Sequence, residues 1–255
     1  MKIPSINIQT NKIPVKPQWK LFQENDTRQF FEPFKVSHKQ LGNLDVSIRK
    51  HIYGYCNWII EVKNALNKVL GKEILFVEKN PQKIMGLDIT VEHEYRRTPR
   101  RPGYKIGELL RLASVMEMME NKVSHIKIYS KGSAVYFHSK YGFEPAITVF
   151  ADRNRALEAV MRNCDRHTSD YADKAEDILT KVMRYQDDAE LQRAACKETN
   201  ALLKEYIRKV LKIGKPEETY PFDMGMDMML TKETVEKNRE FYNRLFENTG
   251  IDYKV

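Results

Sequence analysis

The sequence has 255 residues, of which 42% are hydrophobic and 31% are charged, so it can bury a core beneath a well-solvated surface. Its formal net charge of +8 favours anionic partners such as phosphates, nucleic acid or acidic proteins. The N-terminal segment lacks the apolar run of a signal peptide, and no window has the length and hydropathy of a membrane span. We therefore expect a protein without a membrane partner.

The cysteines are three in number and widely separated, at Cys56, Cys164 and Cys196. Such spacing fits neither a disulfide framework nor a zinc site, and it is typical of thiols in a reducing compartment. We expect inert thiols, a cytoplasmic location and no metal site. His93, which stands between two glutamates, has no second histidine at helical spacing to complete a metal site.

The first part of the chain predicts an extended segment and then a helix. Prolines separate short apolar groups in residues 1–36, which favours an arm or edge strands. From residue 44 to 70 apolar residues recur every three or four positions, and Gly71 follows where a helix C-cap would lie. This spacing predicts a helix.

The middle of the chain predicts alternating strands and helices. Residues 73–91 indicate two strands around a turn at Asn80–Pro81. The segment "VSHIKIYS" predicts a strand, "SAVYFHSKY" a short helix that Gly142 ends, and "FEPAITVF" another strand. A helix is predicted between residue 91 and "VSHIKIYS". Its one apolar face consists of Ile106, Leu109, Leu110, Ala113 and Met116.

The last third predicts helices followed by a strand. Residues 151–213 contain neither Gly nor Pro and show heptad-like apolar spacing, so we expect two or three helices packed on one another. Their apolar faces imply packing on the rest of the protein or on a second copy, as in a homodimer. "DMGMDMMLTKE" then predicts a strand, and residues 232–247 a closing helix.

A basic turn precedes the helix that begins near Ile106. A helix start has free backbone N–H groups and a positive dipole end, which together bind phosphate. Gly103 and Gly107 would let the backbone approach a ligand closely. Guanidinium donors suited to phosphate surround them, at Arg96, Arg97, Arg100 and Arg101. The turn predicts a pyrophosphate cradle or, taken alone, a solvated loop, and it matches neither common nucleotide-binding glycine motif.

Two motifs, "VEHEYRR…GYKIGELL" and "AVYFHSKYGFEP", resemble the GNAT superfamily of acyl-CoA-dependent N-acetyltransferases. The resemblance covers about residues 73–150 and a last strand near 223–231. It implies a mixed α/β fold, with a splayed central sheet flanked by helices and a helical insertion before the last strand. The domains would be an arm (1–36), an acyltransferase domain (37–150 and 214–255) and the insertion (151–213).

The resemblance also implies cofactor-binding positions for acetyl-CoA. The main chain of Val91 would pair with pantetheine, residues 103–108 would hold the pyrophosphate, and Ala134 would lead the helix beside the pantetheine arm. Pro102 and Lys105 depart from the family's loop, which has Gln or Arg and Gly there. The full set is Val91, Arg97, Arg101, Gly103, Tyr104, Lys105, Ile106, Gly107, Glu108, Lys131, Ala134 and Phe137.

The implied reaction is direct transfer of an acetyl or other acyl group from acyl-CoA to a primary amine. A base must deprotonate the amine, and Asp88, Glu92 and Glu94 are the candidates near the strand end. His138 takes the position of the family's common tyrosine, which donates to the leaving thiolate. Its pKa would be lowered by a cationic cradle. The alternatives are surface carboxylates and a histidine that only lines the pantetheine tunnel.

The acceptor cannot be read from the sequence. The basic composition favours an acidic or phosphate-bearing acceptor, such as tRNA or a protein, over a polyamine. Two other classes of function remain open. One is a non-catalytic acyl-CoA-binding or interaction module on the same scaffold. The other is a basic nucleic-acid-binding protein, although the arginine tract lacks the interleaved aromatic residues of a stacking surface.

Overall fold

The structure is a computed structural model, which describes residues 20–21, 29–51, 57–78, 83–96, 103–213 and 225–255. Its strands are β1 (Lys20–Leu21), β2 (Gln29–Phe30), β3 (Phe34–His38), β4 (Gly42–His51), β5 (Asn57–Asn64), β6 (Val69–Glu78), β7 (Lys83–Val91), β8 (His125–Lys131), β9 (Glu144–Pro145) and β10 (Gly225–Thr231). Its helices are α1 (Ile106–Glu120), α2 (Ala134–Lys140), α3 (Phe150–Asn163), α4 (Ser169–Arg184), α5 (Ala189–Ile213), α6 (Lys232–Lys237) and α7 (Arg239–Thr249), and a 3₁₀ turn covers His93–Tyr95.

The central element is a mixed sheet of eight strands in the order β3-β4-β5-β6-β7-β8-β10-β9. Every neighbouring pair is antiparallel except β7 and β8, which are parallel and are joined through α1. With helices flanking the sheet, the mixed α/β class predicted from the sequence is confirmed. None of the described helices is both long and apolar enough to cross a lipid bilayer.

The parallel pair is joined over a short distance only. Ile84–Gly86 of β7 pairs with Ile126–Ile128 of β8, whereas β7 continues to Val91 and β8 to Lys131. The carboxyl ends of these two strands are therefore not paired with each other. Strands that separate in this way leave backbone donors and acceptors available along the opening, and this is the splay expected of the sheet.

The helix predicted from residue 44 to 70 is wrong, because β4, β5 and the start of β6 occupy this segment. Buried side chains alternate at Leu44, Val46 and Ile48, which is the period of a strand. In β5 the residues Trp58–Ile60 are buried on both faces, so the alternation there is blurred. Cys56 lies outside the described residues.

Gly71, predicted as a helix cap, lies inside β6 and pairs with Val91 of β7. A Cβ placed on Gly71 would lie 2.8 Å from Cγ2 of Ile106 and 3.2 Å from Cδ1 of Leu110. The glycine is thus needed for close packing of α1 on the sheet. The two strands predicted within residues 73–91 are confirmed as β6 and β7, and their predicted turn at Asn80–Pro81 lies outside the described residues.

The strand predicted from "FEPAITVF" is reduced to Glu144–Pro145. Beyond this strand, the backbone of Ile147 forms hydrogen bonds with the side chain of Asn200 and not with another of the described strands. Asn200 accepts from the Ile147 N–H at 3.0 Å and donates to the Ile147 carbonyl at 3.1 Å. Helix α3 then begins at Phe150. The predicted closing helix is interrupted at Asn238, which separates α6 from α7.

Residues 151–213 lie almost entirely in α3, α4 and α5, which pack on one another, while α5 also contacts α2 and β9. Tyr171 of α4 and Tyr206 of α5 meet edge to face at 5.7 Å and belong to the same apolar core as the sheet. The heptad-like spacing of this segment includes Tyr185, but Tyr185 follows the end of α4 and is 48% exposed. The division of the chain into arm, acyltransferase domain and insertion stays a prediction.

Candidate functional site

Three elements predicted to contribute to the site meet at the end of β7. A Cβ placed on Gly107, in the first turn of α1, would lie 3.4 Å from the ring of Phe137 in α2 and 3.7 Å from Cγ2 of Val91 in β7. The two sequence motifs are therefore adjacent in space, as the proposed cofactor site requires. Ala134 begins α2, and Lys131, the last residue of β8, is exposed and pairs with Gly225.

The loop that leads into α1 has a distinct backbone shape. Lys105 has a φ of +56°, and its carbonyl accepts from the N–H groups of Glu108 and Leu109 at 3.0 and 3.2 Å. The N–H groups of Ile106 and Gly107 lie in the first turn, where a helix supplies no acceptor. Free N–H groups beside the positive end of a helix dipole are the kind of groups that can bind an anion.

Aromatic residues hold this loop in place. The Tyr104 N–H donates to the Tyr95 carbonyl at 3.3 Å, and the two rings meet edge to face at 5.6 Å. A ring nitrogen of His38 lies 2.9 Å from the Tyr104 carbonyl. Arg97 and Arg101 fall in 97–102, outside the described residues, while Arg96 donates from Nε to the Val91 carbonyl.

Glu108 faces the protein interior. Burial raises the pKa of its carboxyl, and the charge of Lys105 and a hydrogen bond from the Tyr141 side chain oppose this rise. Its N–H is bonded to Lys105. Glu108 therefore links the first turn of α1 to Tyr141, directly after α2, and its backbone N–H is not available to a ligand in this arrangement.

The three carboxylates predicted as base candidates do not converge on one point. Asp88 is exposed, accepts from the Thr90 hydroxyl at 2.7 Å, and pairs with Ile74, so it lies on the sheet face opposite to α1. Glu94 forms an ion pair with Lys68. Glu92 is exposed and follows the end of β7 directly.

A buried polar cluster, which we define as Glu73, Arg111, Ser114 and His138, was not predicted from the sequence. Arg111 Nη1 donates to Glu73 Oε1 at 2.8 Å, and the Ser114 hydroxyl donates to Glu73 Oε2 at 2.5 Å. Arg111 Nη2 lies 3.3 Å from Nδ1 of His138. The signal in the sequence is an arginine within the otherwise apolar helix "LLRLA" and a glutamate before the apolar run "ILFV".

The position of His138 in this cluster determines its charge. The ring is 4% exposed, and it packs against Phe137 and Phe143 at ring distances of 5.1 and 5.7 Å. Burial first, and the positive charge of Arg111 second, lower the pKa of His138 well below 6.5. The direction is the one expected from the sequence, but the cation responsible is Arg111 of α1.

The neutral state of His138 predicts a pH-dependent stability. An unfolded histidine binds a proton below about pH 6.5, whereas folded His138 does not, so stability falls as the pH falls. The slope should reach up to about 1.4 kcal/mol per pH unit until the folded ring is protonated. Urea denaturation of the wild type and of His138→Gln between about pH 7.5 and 5 checks this. Equal slopes in both proteins would contradict it.

Within the described parts of the chain, no three His, Cys, Asp or Glu residues form a group that could hold a metal ion. The groups that the described residues place at this site are backbone N–H groups at a helix start, exposed carboxylates at a strand end, and one buried neutral imidazole. Groups of these kinds can bind anions, accept protons and donate hydrogen bonds.

No protein-family model and no curated protein sequence matches the chain. Among solved structures, it is similar to a GNAT-family acetyltransferase from Staphylococcus aureus Mu50, with 22% identity, a TM-score of 0.31, and coverage of 36% of this chain and 55% of that one. The chain thus spans about half the length of that enzyme.

Two further solved structures show a similar partial match. A GNAT-family acetyltransferase from Elizabethkingia anophelis with acetyl-CoA bound has 15% identity and a TM-score of 0.32, over 40% of this chain and 78% of that one. A spermidine/spermine N-acetyltransferase from Vibrio cholerae has 14% identity and a TM-score of 0.32, and the match covers 39% of this chain and 58% of that one. The first two structures are members of the family that the two sequence motifs resemble.

Proposed function

We propose that this chain is an acyl-CoA-dependent N-acyltransferase of the GNAT type, which transfers an acetyl group from acetyl-CoA directly to a primary amine. The observation that carries the proposal is the carboxyl end of β7, which pairs with β6 but not with β8, beside the glycine-containing start of α1. An extended pantetheine arm needs main-chain partners, and a pyrophosphate needs N–H donors. The end of β7 would supply the first and the start of α1 the second, at one opening in the sheet.

Each part of acetyl-CoA has a proposed partner. The pantetheine amides would pair with the main chain at Val91, whose carbonyl can accept a second hydrogen bond besides the one from Arg96. The pyrophosphate would lie on the N–H groups of Ile106 and Gly107. Lys105, whose side chain is 66% exposed, would add a positive charge, as would Arg97 and Arg101 by the resemblance.

The chemical step would begin when an uncharged amine attacks the thioester carbonyl carbon. Asp88 and Glu92 are our candidates for accepting the ammonium proton, directly or through water, whereas Glu94 is engaged by Lys68. Collapse of the tetrahedral intermediate breaks the C–S bond and leaves the electron pair on sulfur. His138 would donate a hydrogen bond to that thiolate.

The test is release of free CoA thiol from acetyl-CoA in the presence of a panel of amines, including aminoacyl-tRNA, peptides and polyamines. We expect amine-dependent thiol release, with an acidic or phosphate-bearing acceptor preferred. Thiol release that does not increase with any amine, together with measurable CoA binding, would favour a non-catalytic acyl-CoA-binding module. The separation of Asp88 from the α1 face is the observation that favours this second candidate.

The pyrophosphate part of the proposal predicts a selective loss of affinity. Arg97→Ala combined with Arg101→Ala should weaken CoA binding by about 1–3 kcal/mol, because charge-assisted hydrogen bonds to phosphate are lost. Binding of pantetheine, which has no phosphate, should be unchanged. Isothermal titration calorimetry measures both ligands.

A matched control removes the same charge elsewhere. Arg155 and Arg162 are exposed arginines of α3, so Arg155→Ala with Arg162→Ala should leave both affinities unchanged. An equal loss for CoA and pantetheine, or an equal loss in the control variant, would show that Arg97 and Arg101 do not bind the pyrophosphate. A cytoplasmic location and a homodimer through α3–α5 remain expectations from the sequence.

A further inference from the structure

The buried cluster connects three elements that meet at the candidate site. Glu73 belongs to β6, Arg111 and Ser114 belong to α1, and His138 belongs to α2. Arg111 is 1% exposed, Glu73 is 1% exposed, and the Arg111 guanidinium also lies 4.7 Å from the centre of the Phe143 ring. A charged pair at this depth is expensive to bury, and packing alone would be better served by apolar side chains.

The contact between Arg111 and His138 restricts the protonation of the ring. A guanidinium has five N–H donors and no acceptor, and it stays charged at any working pH. At 3.3 Å from Arg111 Nη2, the Nδ1 atom of His138 must therefore be the acceptor. A neutral imidazole with its lone pair on Nδ1 has its hydrogen on Nε2.

Glu73 holds the guanidinium in the orientation that this contact needs. One carboxylate oxygen accepts from Arg111 and the other accepts from Ser114, so both oxygens are engaged. The carboxylate lies over Gly86 of the neighbouring strand, where a Cβ would be in ordinary contact with Glu73 Oε1 at 3.6 Å and would collide with Ile128 Cγ2 at 2.8 Å. The direction of Arg111 is thus set by the sheet, and the direction of His138 is set by Arg111.

We propose that Arg111, oriented by Glu73, is a positioning residue that keeps the His138 ring in its Nε2–H tautomer, so that the ring offers a hydrogen-bond donor and no positive charge to the acyl-transfer site. The role in acyl transfer rests on the proposed function, whereas the tautomer does not. The low pKa of His138 is consistent with a ring that stays neutral.

The positioned donor would act when the C–S bond breaks. The amine nitrogen forms the C–N bond, the electron pair of the C–S bond goes to sulfur, and Nε2–H donates a hydrogen bond to the thiolate. The hydrogen stays on the ring, so His138 needs no reprotonation between turnovers. The proton lost by the ammonium before attack passes to the base, and the nitrogen loses its second proton to water as the amide forms. The thiolate is released and takes up a proton from water.

The tautomer is measurable in the wild-type protein by two-bond ¹H–¹⁵N correlation spectra of histidine-labelled protein. The sequence has six histidines, and the signal that disappears in His138→Gln identifies this one. We expect the pattern of an Nε2–H tautomer, with no change between about pH 6 and 8, where free histidine titrates. A protonated ring, or an Nδ1–H pattern, would overturn the proposal without any assay of activity.

A variant pair then tests the role in turnover. Glu73→Gln with Arg111→Met removes both charges together, and we expect a mixture of the two tautomers and a kcat lower by about tenfold or more. The KM for acetyl-CoA should change by less than about twofold, because binding of the cofactor is not affected. Arg49→Met with Glu61→Gln is the matched control, since it removes an arginine–glutamate pair that belongs to β4 and β5 and lies outside the cluster, and its tautomer and kcat should stay close to wild type.

The outcomes separate the two proposals. An Nε2–H ring in a protein that neither binds nor turns over acetyl-CoA would refute the acyltransferase proposal and leave the tautomer standing. A mixed tautomer with unchanged kcat in the double variant would refute the positioning role. An equal loss of kcat in Arg49→Met with Glu61→Gln, with the tautomer intact, would assign the effect to a general loss of stability, against our proposal.

Discussion

Arg111→Met is expected to lower the free energy of unfolding by about 3–5 kcal/mol. The substitution leaves the Glu73 carboxylate buried without its charged partner, and only the Ser114 hydroxyl still donates to it. Burial already raises the pKa of Glu73, and Arg111 is the first of the groups that oppose this rise. Urea denaturation followed by far-UV circular dichroism measures the loss.

The cost of the unpaired Glu73 charge can be measured separately from the cost of lost packing. Adding Glu73→Gln to Arg111→Met removes the unpaired charge, so the double variant should recover much of the stability. Arg49→Met is a control with a similar arginine–glutamate pair, because Arg49 is half-exposed and Glu61 keeps a second partner in Lys63 at 3.2 Å. It should cost about 1 kcal/mol or less. A double variant no more stable than Arg111→Met would indicate that lost packing dominates.

Local sequence patterns predicted much of the second half of the sheet. The strand β8, the helix α2 and the turn at Gly142 follow from "VSHIKIYS" and "AVYFHSKYGF", since apolar spacing and a glycine stop act over a few residues. The helix predicted from 44 to 70 failed because apolar residues on both faces of β5 imitate a helical spacing. Deciding between the two periods requires knowledge of which face is covered.

Part of the candidate site was likewise predictable from local sequence patterns, and part of it was not. The meeting of Val91, Gly107 and Phe137 was implied by two motifs whose order along the chain is that of a known family. The contact of Glu73 with Arg111 joins residues 38 apart, and it exists because β6 lies beneath α1. No short-range pattern contains this information, since the register of β6 on β7 decides which side chains reach the helix.

The turn after α2 connects the candidate site to the C-terminal helix. Gly142 has a φ of +81°, which side chains other than glycine rarely tolerate. A Cβ on Gly142 would lie 2.5 Å from the hydroxyl oxygen of Tyr242, and that hydroxyl donates to the Tyr141 carbonyl at 2.8 Å. The turn, the tyrosine of α7 and the end of α2 are therefore in tight contact.

Gly142→Ala should lower the free energy of unfolding by about 2–5 kcal/mol, from backbone strain and from displacement of the Tyr242 hydroxyl together. Gly250→Ala is the matched control, because Gly250 has a φ of +77° but its Cβ would meet nothing closer than 3.6 Å. It should lose only the strain, about 1–2 kcal/mol.

A double-mutant cycle isolates the contact between Gly142 and Tyr242. Tyr242→Phe alone should cost about 1 kcal/mol, since the hydrogen bond to the Tyr141 carbonyl is lost. In the Gly142→Ala background the same change removes the atom that collides with the new methyl group, so it should be neutral or stabilising. Equal effects of Tyr242→Phe in both backgrounds would show that strain at Gly142, and not contact with α7, sets the stability of this turn.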